Sequence, residues 1–147
     1  MIWIGIDPGA KGAMALVGVK DGPELIPFDR QRYIDRLWMY NIDGLDMICC
    51  IEEVHSMPKQ GVTSTFNLGK EYGWLLGVLD AIGVPFQTIK PQRWKAEFGL
   101  NSDKATSIEV CKRLYPSVSL LRTDRSRKED DNLAEALLMA TYAKRKF

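Results

Sequence analysis

Ile2-Trp3-Ile4-Gly5-Ile6-Asp7-Pro8-Gly9 opens the chain as an apolar run closed by a carboxylate and a turn. Residues 2–6 read as a buried strand, and Asp7-Pro8-Gly9 carries turn chemistry. The charge of Asp7 therefore lies at the rim of a core, where ionisation needs a compensating partner. Asp before Pro-Gly is equally a routine turn former whose side chain accepts from nearby backbone N–H groups, so the residue alone does not decide between the two uses.

Outward from that stretch, a second strand is expected near 13–19 and a short third around 24–28, followed by a helix from Arg30 to Tyr40. Met47 to Ile51 is an apolar strand, too hydrophobic on both sides for a sheet edge. Glu52 and Glu53 follow it directly, and strand alternation points them to opposite faces, so at most one shares the side of Asp7. After the loop Ser56-Met57-Pro58-Lys59-Gln60-Gly61, a helix is expected from about 63 to 82, ending at Gly83 ahead of Pro85. Pro85 to Ile89 reads as another strand. A short helix near 92–98, a longer one near 103–114 capped by Asn101 or Ser102, a basic loop at 116–128 and a last helix from about 129 to 145 complete the chain. Strands first, then strands alternating with helices, argue for an α/β layered domain, and no linker or repeat divides residues 1–147.

Gly69, Gly73 and Gly77 recur on one face of the 63–82 helix, each costing about 1 kcal/mol relative to Ala. Close backbone approach is the physical use of such a stripe, either to the sheet beneath or to a second subunit.

With 147 residues, 46% hydrophobic and 27% charged, the chain is sized for one globular domain and is neither disordered nor fibrous. No apolar run approaches the roughly 18 residues that span a bilayer, and the N-terminus enters a strand pattern without a basic n-region, so a cytoplasmic protein is expected. Cys49 and Cys50 lie in an apolar run and the total of three is odd, which argues for reduced thiols and no disulfide. The net charge of +1 hides a segregation: residues 1–74 carry seven Lys/Arg against ten Asp/Glu, and 75–147 carry thirteen against nine. The 90–128 segment is a candidate electrostatic footprint for a polyanion, with Lys95, Arg122 and Arg125 as phosphate contacts and Lys59 joining from the loop after Glu53. The plainer use of those charges is a solvated surface.

A third group of carboxylates opens the last helix, in Glu129-Asp130-Asp131-Asn132-Leu133-Ala134-Glu135. The helix dipole favours acidic residues there without further role. At about 100° per residue, Asp131 and Glu135 fall within about 40° of one face, whereas Asp130 and Glu135 are about 140° apart. A like-charged i,i+4 pair ahead of an apolar stretch asks for a cation, and a divalent metal is the economical one. Asp7, a strand-terminal Glu and this pair form an all-oxygen set suited to Mg²⁺ or Mn²⁺. Zinc is disfavoured because His55 is the only histidine and the Cys pair lacks zinc-ligand spacing; the same shortage disfavours a Ser–His–Asp or Cys–His enzyme.

Gly5-Ile6-Asp7-Pro8-Gly9, Ile51-Glu52-Glu53-Val54 and Asp131-Asn132-Leu133-Ala134-Glu135-Ala136-Leu137, in that order, resemble RuvC-type Holliday junction resolvases, particularly phage-like members. Phe66-Asn67-Leu68-Gly69 with Gly73, Lys90-Pro91-Gln92-Arg93-Trp94-Lys95, and Asp103-Lys104 before a helix are similar as well. The resemblance covers nearly the whole chain. It implies an RNase H-like fold, with a mixed central sheet flanked by helices, and a crossover junction endodeoxyribonuclease holding two metal ions on four carboxylates. Matched by motif, these are Asp7, Glu52, Asp131 and Glu135. Glu135 stands where cellular resolvases usually have Asp, and its spacing from Asp131 is one longer than their Asp-x-x-Asp. His55 stands where they have an aromatic residue that stacks near the junction centre.

Phosphodiester hydrolysis fits these residues chemically: two Mg²⁺ ions about 3.5–4 Å apart acidify the attacking water and clamp the developing charge, with Mn²⁺ substituting. Lys104 would assist the phosphate; its plainer use is an exposed cation in a first helical turn, which the dipole disfavours. The implied partners are a four-way DNA junction and a second copy of the chain, since paired cuts suit an isologous homodimer. Three other readings stand beside this one. Asp7-x-Gly resembles the phosphate-binding turn of actin-like ATPases and sugar kinases, but 147 residues cannot supply the two domains those folds need. A catalytically inert branched-nucleic-acid binding module is opposed by the full carboxylate set. A nuclease for structured RNA or flap DNA would keep the fold and change the substrate.

Overall fold

A computed structural model describes residues 1–147. Five strands form one mixed sheet: β1 (Ile2–Asp7), β2 (Ala13–Val17), β3 (Glu24–Pro27), β4 (Met47–Glu52) and β5 (Phe86–Ile89). Their spatial order is β3-β2-β1-β4-β5, with β2 antiparallel to both β1 and β3, and β4 parallel to β1 and β5. The helices are α1 (Arg30–Ile42), α2 (Val62–Ile82), α3 (Pro91–Glu97), α4 (Ala105–Leu114) and α5 (Asp131–Lys146). No helix is long and apolar enough to cross a membrane. All three cysteines are free and buried.

Alternation along the strands divides the core in two. Ile2, Ile4, Ile6, Cys49 and Ile51 pack with Tyr33 and Leu37 of α1 and Leu75 and Leu79 of α2. On the other face Ala13, Ala15, Val17 and Cys50 pack with α5. Every residue of α5 from Ala136 to Ala143 is buried, because the sheet covers one side and Trp94, Cys111 and Leu120 the other. A helix apolar all round has to be enclosed in this way.

Gly5 explains how close α5 comes. A Cβ on Gly5 would fall within 3.0 Å of the backbone at Ala136, Met139 and Ala140, so α5 rests on the bare backbone of β1. Any side chain larger than hydrogen would lift the helix, and with it the carboxylates of its first turns.

The structure corrects three local expectations. The cap of α4 is neither Asn101 nor Ser102: Lys104 holds the N-cap position, and the Asp103 carboxylate accepts from the Ala105 N–H at 2.9 Å. Asn101 instead orders the preceding turn by accepting from the Asp103 N–H. The last helix begins at Asp131 rather than near 129, because the Asp130 side chain accepts from the N–H groups of Asn132 and Leu133 and so caps it. Finally, Gly69, Gly73 and Gly77 do not meet the sheet. A Cβ on any of them would touch nothing within 4 Å, which excludes the internal use of the stripe and leaves that face of α2 open.

Candidate metal centre and nucleic-acid interface

Parallel pairing of β1 and β4 aligns Ile6 with Ile51, so Asp7 and Glu52 end neighbouring strands side by side. Both continue the alternation of Gly5 and Cys50 and therefore face α5. Glu53 is one residue further, and its charge acts on Tyr72 of α2 more strongly than that of Glu52 does. α5, seated on Gly5, supplies Asp131 and Glu135 from above. The four carboxylates matched by motif thus come together at one end of the sheet.

Their mutual repulsion is felt at Asp7, which is 9% exposed. Burial, followed by the charges of Glu135, Glu52 and Asp131, pushes its carboxyl up to about 8, while Lys95 opposes the shift. Glu52 is also raised by burial, against a hydrogen bond from Trp94 that favours its charged form. The Trp94 Nε1–H donates to Glu52 Oε2 at 2.8 Å. Lys95 Nζ lies 3.3 Å from Glu135 Oε1 and 5.3 Å from the centre of the Trp94 ring. Lys104 Nζ stands 3.5 Å from Asp131 Oδ2, outside good hydrogen-bond geometry, and that oxygen is buried without a hydrogen-bond partner. A cavity of about 150 Å³ opens beside the cluster, lined by Lys95, Asp103, Lys104, Asp131 and Glu135.

No three His, Cys, Asp or Glu side chains converge tightly enough to enclose a metal ion; Lys95 and Lys104 each attend one of the carboxylates instead. The donor set nevertheless fits a hard divalent cation. It is all oxygen, it contains the orphaned Asp131 Oδ2, and burial together with repulsion from the other three carboxylates opposes ionisation of Asp7, an effect a bound cation would offset.

The structure separates Asp131 from Asp130. Asp130 uses Oδ1 to cap α5 and Oδ2 to hold Arg122 at 3.0 Å, whereas Asp131 faces Asp7. Arg122, expected as a phosphate contact, is engaged within the protein. Its guanidinium donates to the carbonyls of Lys11 and Gly12 as well as to Asp130, tying the β1–β2 turn to the start of α5. Lys95, also expected as a phosphate contact, places its ammonium beside Glu135 of the carboxylate cluster. Lys59 and Arg125 are exposed and form no ion pair, and His55 is exposed on the loop after β4.

Sequence reasoning missed Trp94. It sits in Arg93-Trp94-Lys95, whose flanking charges suggest a surface, yet Trp94 is 0% exposed. The one available signal was helical phase: Arg93 and Lys95 lie about 100° to either side of Trp94, so all three can serve different surroundings.

The structure matches that of T. thermophilus RuvC in complex with a Holliday junction substrate, with a TM-score of 0.61. The fold is RuvC-like. The match covers 99% of this chain and 97% of that one at 17% identity, and a second Thermus thermophilus RuvC structure gives a TM-score of 0.57, also at 17% identity, over 99% and 96%. No protein-family model and no curated protein matches the sequence. The five-stranded mixed sheet with its flanking helices is thus the RNase H-like architecture that the motifs implied.

Proposed function

We propose that this chain is a metal-dependent endonuclease that cuts Holliday junctions or other branched DNA by phosphodiester hydrolysis. What supports the reading above all is the meeting of Asp7, Glu52, Asp131 and Glu135 at one end of a RuvC-like sheet. These four carboxylates would hold Mg²⁺, with Mn²⁺ able to substitute. When bound, such ions acidify the attacking water and offset charge on the attacking and leaving oxygens.

The chain's own groups do the rest. Asp7 supplies a buried carboxyl beside three others, and a bound cation would offset the burial and repulsion that oppose its ionisation. Trp94 steadies Glu52. Lys104 has an ammonium largely exposed beside Asp131 and can meet a phosphate oxygen. Lys59 and Arg125 are free to contact the DNA backbone. Two matched cuts in a near two-fold junction call for an isologous homodimer, since one copy offers one site. Wild-type protein sedimenting as a monomer when saturated with junction DNA would refute that assembly.

The deciding experiment uses Asp7→Asn and Glu52→Gln, which remove charge at nearly constant shape. Each should lower Mg²⁺-dependent junction cleavage about a hundredfold or more and leave junction binding intact. Glu53→Gln, on the opposite face, should stay within about twofold of wild type. Full activity of Asp7→Asn would overturn the assignment. Scoring wild type against junctions, flaps, hybrids and folded RNA fixes the substrate.

A further inference from the structure

We propose that Trp94 is a positioning residue that orients the Glu52 carboxylate for a divalent cation, a role that rests on the four-carboxylate reading above. Its indole is fully buried, and its N–H donates to Glu52 Oε2 at 2.8 Å. Glu52 Oε1 accepts no hydrogen bond from any residue. The bond therefore fixes the plane of the carboxylate through one oxygen and leaves the other available.

The chemistry of the donor matters. An ammonium at this place would compete with a metal ion for the charge of Glu52. An indole N–H is a neutral donor without acceptor capacity, so it orients the carboxylate without cancelling its charge. Glu135 shows the contrast: its partner is Lys95, a cation, at 3.3 Å. Adjacent residues of α3 thus reach carboxylates on two different elements, Trp94 to β4 and Lys95 to α5. Lys95 passes over the Trp94 ring at 5.3 Å, which ties the two contacts together. Pro91 opens this short helix, where its fixed φ suits the first turn.

The test is Mn²⁺ binding to the full-length protein without DNA, measured by titration calorimetry on wild type, Trp94→Phe, Glu52→Gln and the double variant. Trp94→Phe removes the N–H and keeps an aromatic ring. It should weaken Mn²⁺ binding about tenfold or more. Added to Glu52→Gln, it should weaken binding no further, because Trp94 acts through the Glu52 charge. Wild-type affinity in Trp94→Phe, or an equal loss in both backgrounds, overturns the positioning role. A wild type that binds no Mn²⁺ overturns the four-carboxylate reading itself. A second measurement needs no change at position 94. The chain has four tryptophans, and Trp3→Phe, Trp38→Phe and Trp74→Phe identify the remaining indole N–H resonance. On Mg²⁺ titration that resonance should move in wild type and stay fixed in Glu52→Gln; a stationary resonance in wild type overturns the proposal.

Discussion

The two faces of the sheet are built from the same strands and packed in opposite ways. On the α5 face the strand residues Gly5, Ala13, Ala15 and Cys50 are small, and a helix buried from Ala136 to Ala143 lies directly on the backbone of β1. On the α1 and α2 face the strand residues are large aliphatics, and the helices stand off on Tyr33, Leu37, Leu75 and Leu79. Phe28 bridges α1 and α2, edge-on to Tyr33 at 5.6 Å and to Trp74 at 6.2 Å. One face sacrifices side-chain bulk to bring charged helix residues within reach of strand ends. The other is an ordinary apolar layer whose outer surface remains exposed. Precision at a site and thickness of a core are thus separate uses of one sheet.

The contrast breaks most visibly at Gly5. Gly5→Val drives a branched side chain into the α5 backbone and should destabilise the protein by about 3 kcal/mol or more, read as the urea midpoint. A smaller loss would mean that α5 can lift without penalty and that its seat does not set the carboxylates. Arg122→Ala attacks the same face at its edge. Losing the bonds to Lys11, Gly12 and Asp130 should cost about 2–3 kcal/mol. It should leave the salt dependence of junction binding unchanged. Lys59→Ala with Arg125→Ala should do the reverse, flattening the log–log salt slope by about 2 at constant stability.

Titration sharpens the comparison further. In the folded protein Asp7 keeps its proton up to about 8, whereas in the unfolded chain it releases it near 3.8. Between those values the folded state binds more protons than the unfolded one, so stability falls as pH rises from about 4 to about 8. Melting temperatures of metal-free wild type should follow that slope, and Asp7→Asn should flatten it. An equal slope in the variant would remove Asp7 as its source. The smallest effect belongs to the open face. Gly73→Leu meets no neighbour and replaces a poor helix former, so stability should stay level or rise by up to about 1 kcal/mol. If a second copy covers the stripe, the same variant sediments as a monomer and makes unpaired nicks.

Much of the site was legible in local pattern. Period-two alternation separated Glu52 from Glu53, and period-3.6 phase grouped Asp131 with Glu135 and set Asp130 apart. Both rules follow from backbone geometry over a few residues, and no distant contact can change them. The order of strands and helices was legible for the same reason.

What a cation or a glycine does was not. Arg122 reads as one more base in a basic loop, yet its partners Lys11 and Gly12 lie more than 100 residues away. Lys95 and Trp94 take their roles from Glu135 and Glu52 on other elements, and Gly69, Gly73 and Gly77 turned outward although a smooth stripe suits an inner contact equally well. The sequence by itself determined which carboxylates could share a face, because that depends on chain geometry at short range. Only the tertiary structure decided which charges neutralise one another, because electrostatic and hydrogen-bond partners are set by proximity in space between segments whose order along the chain carries no distance.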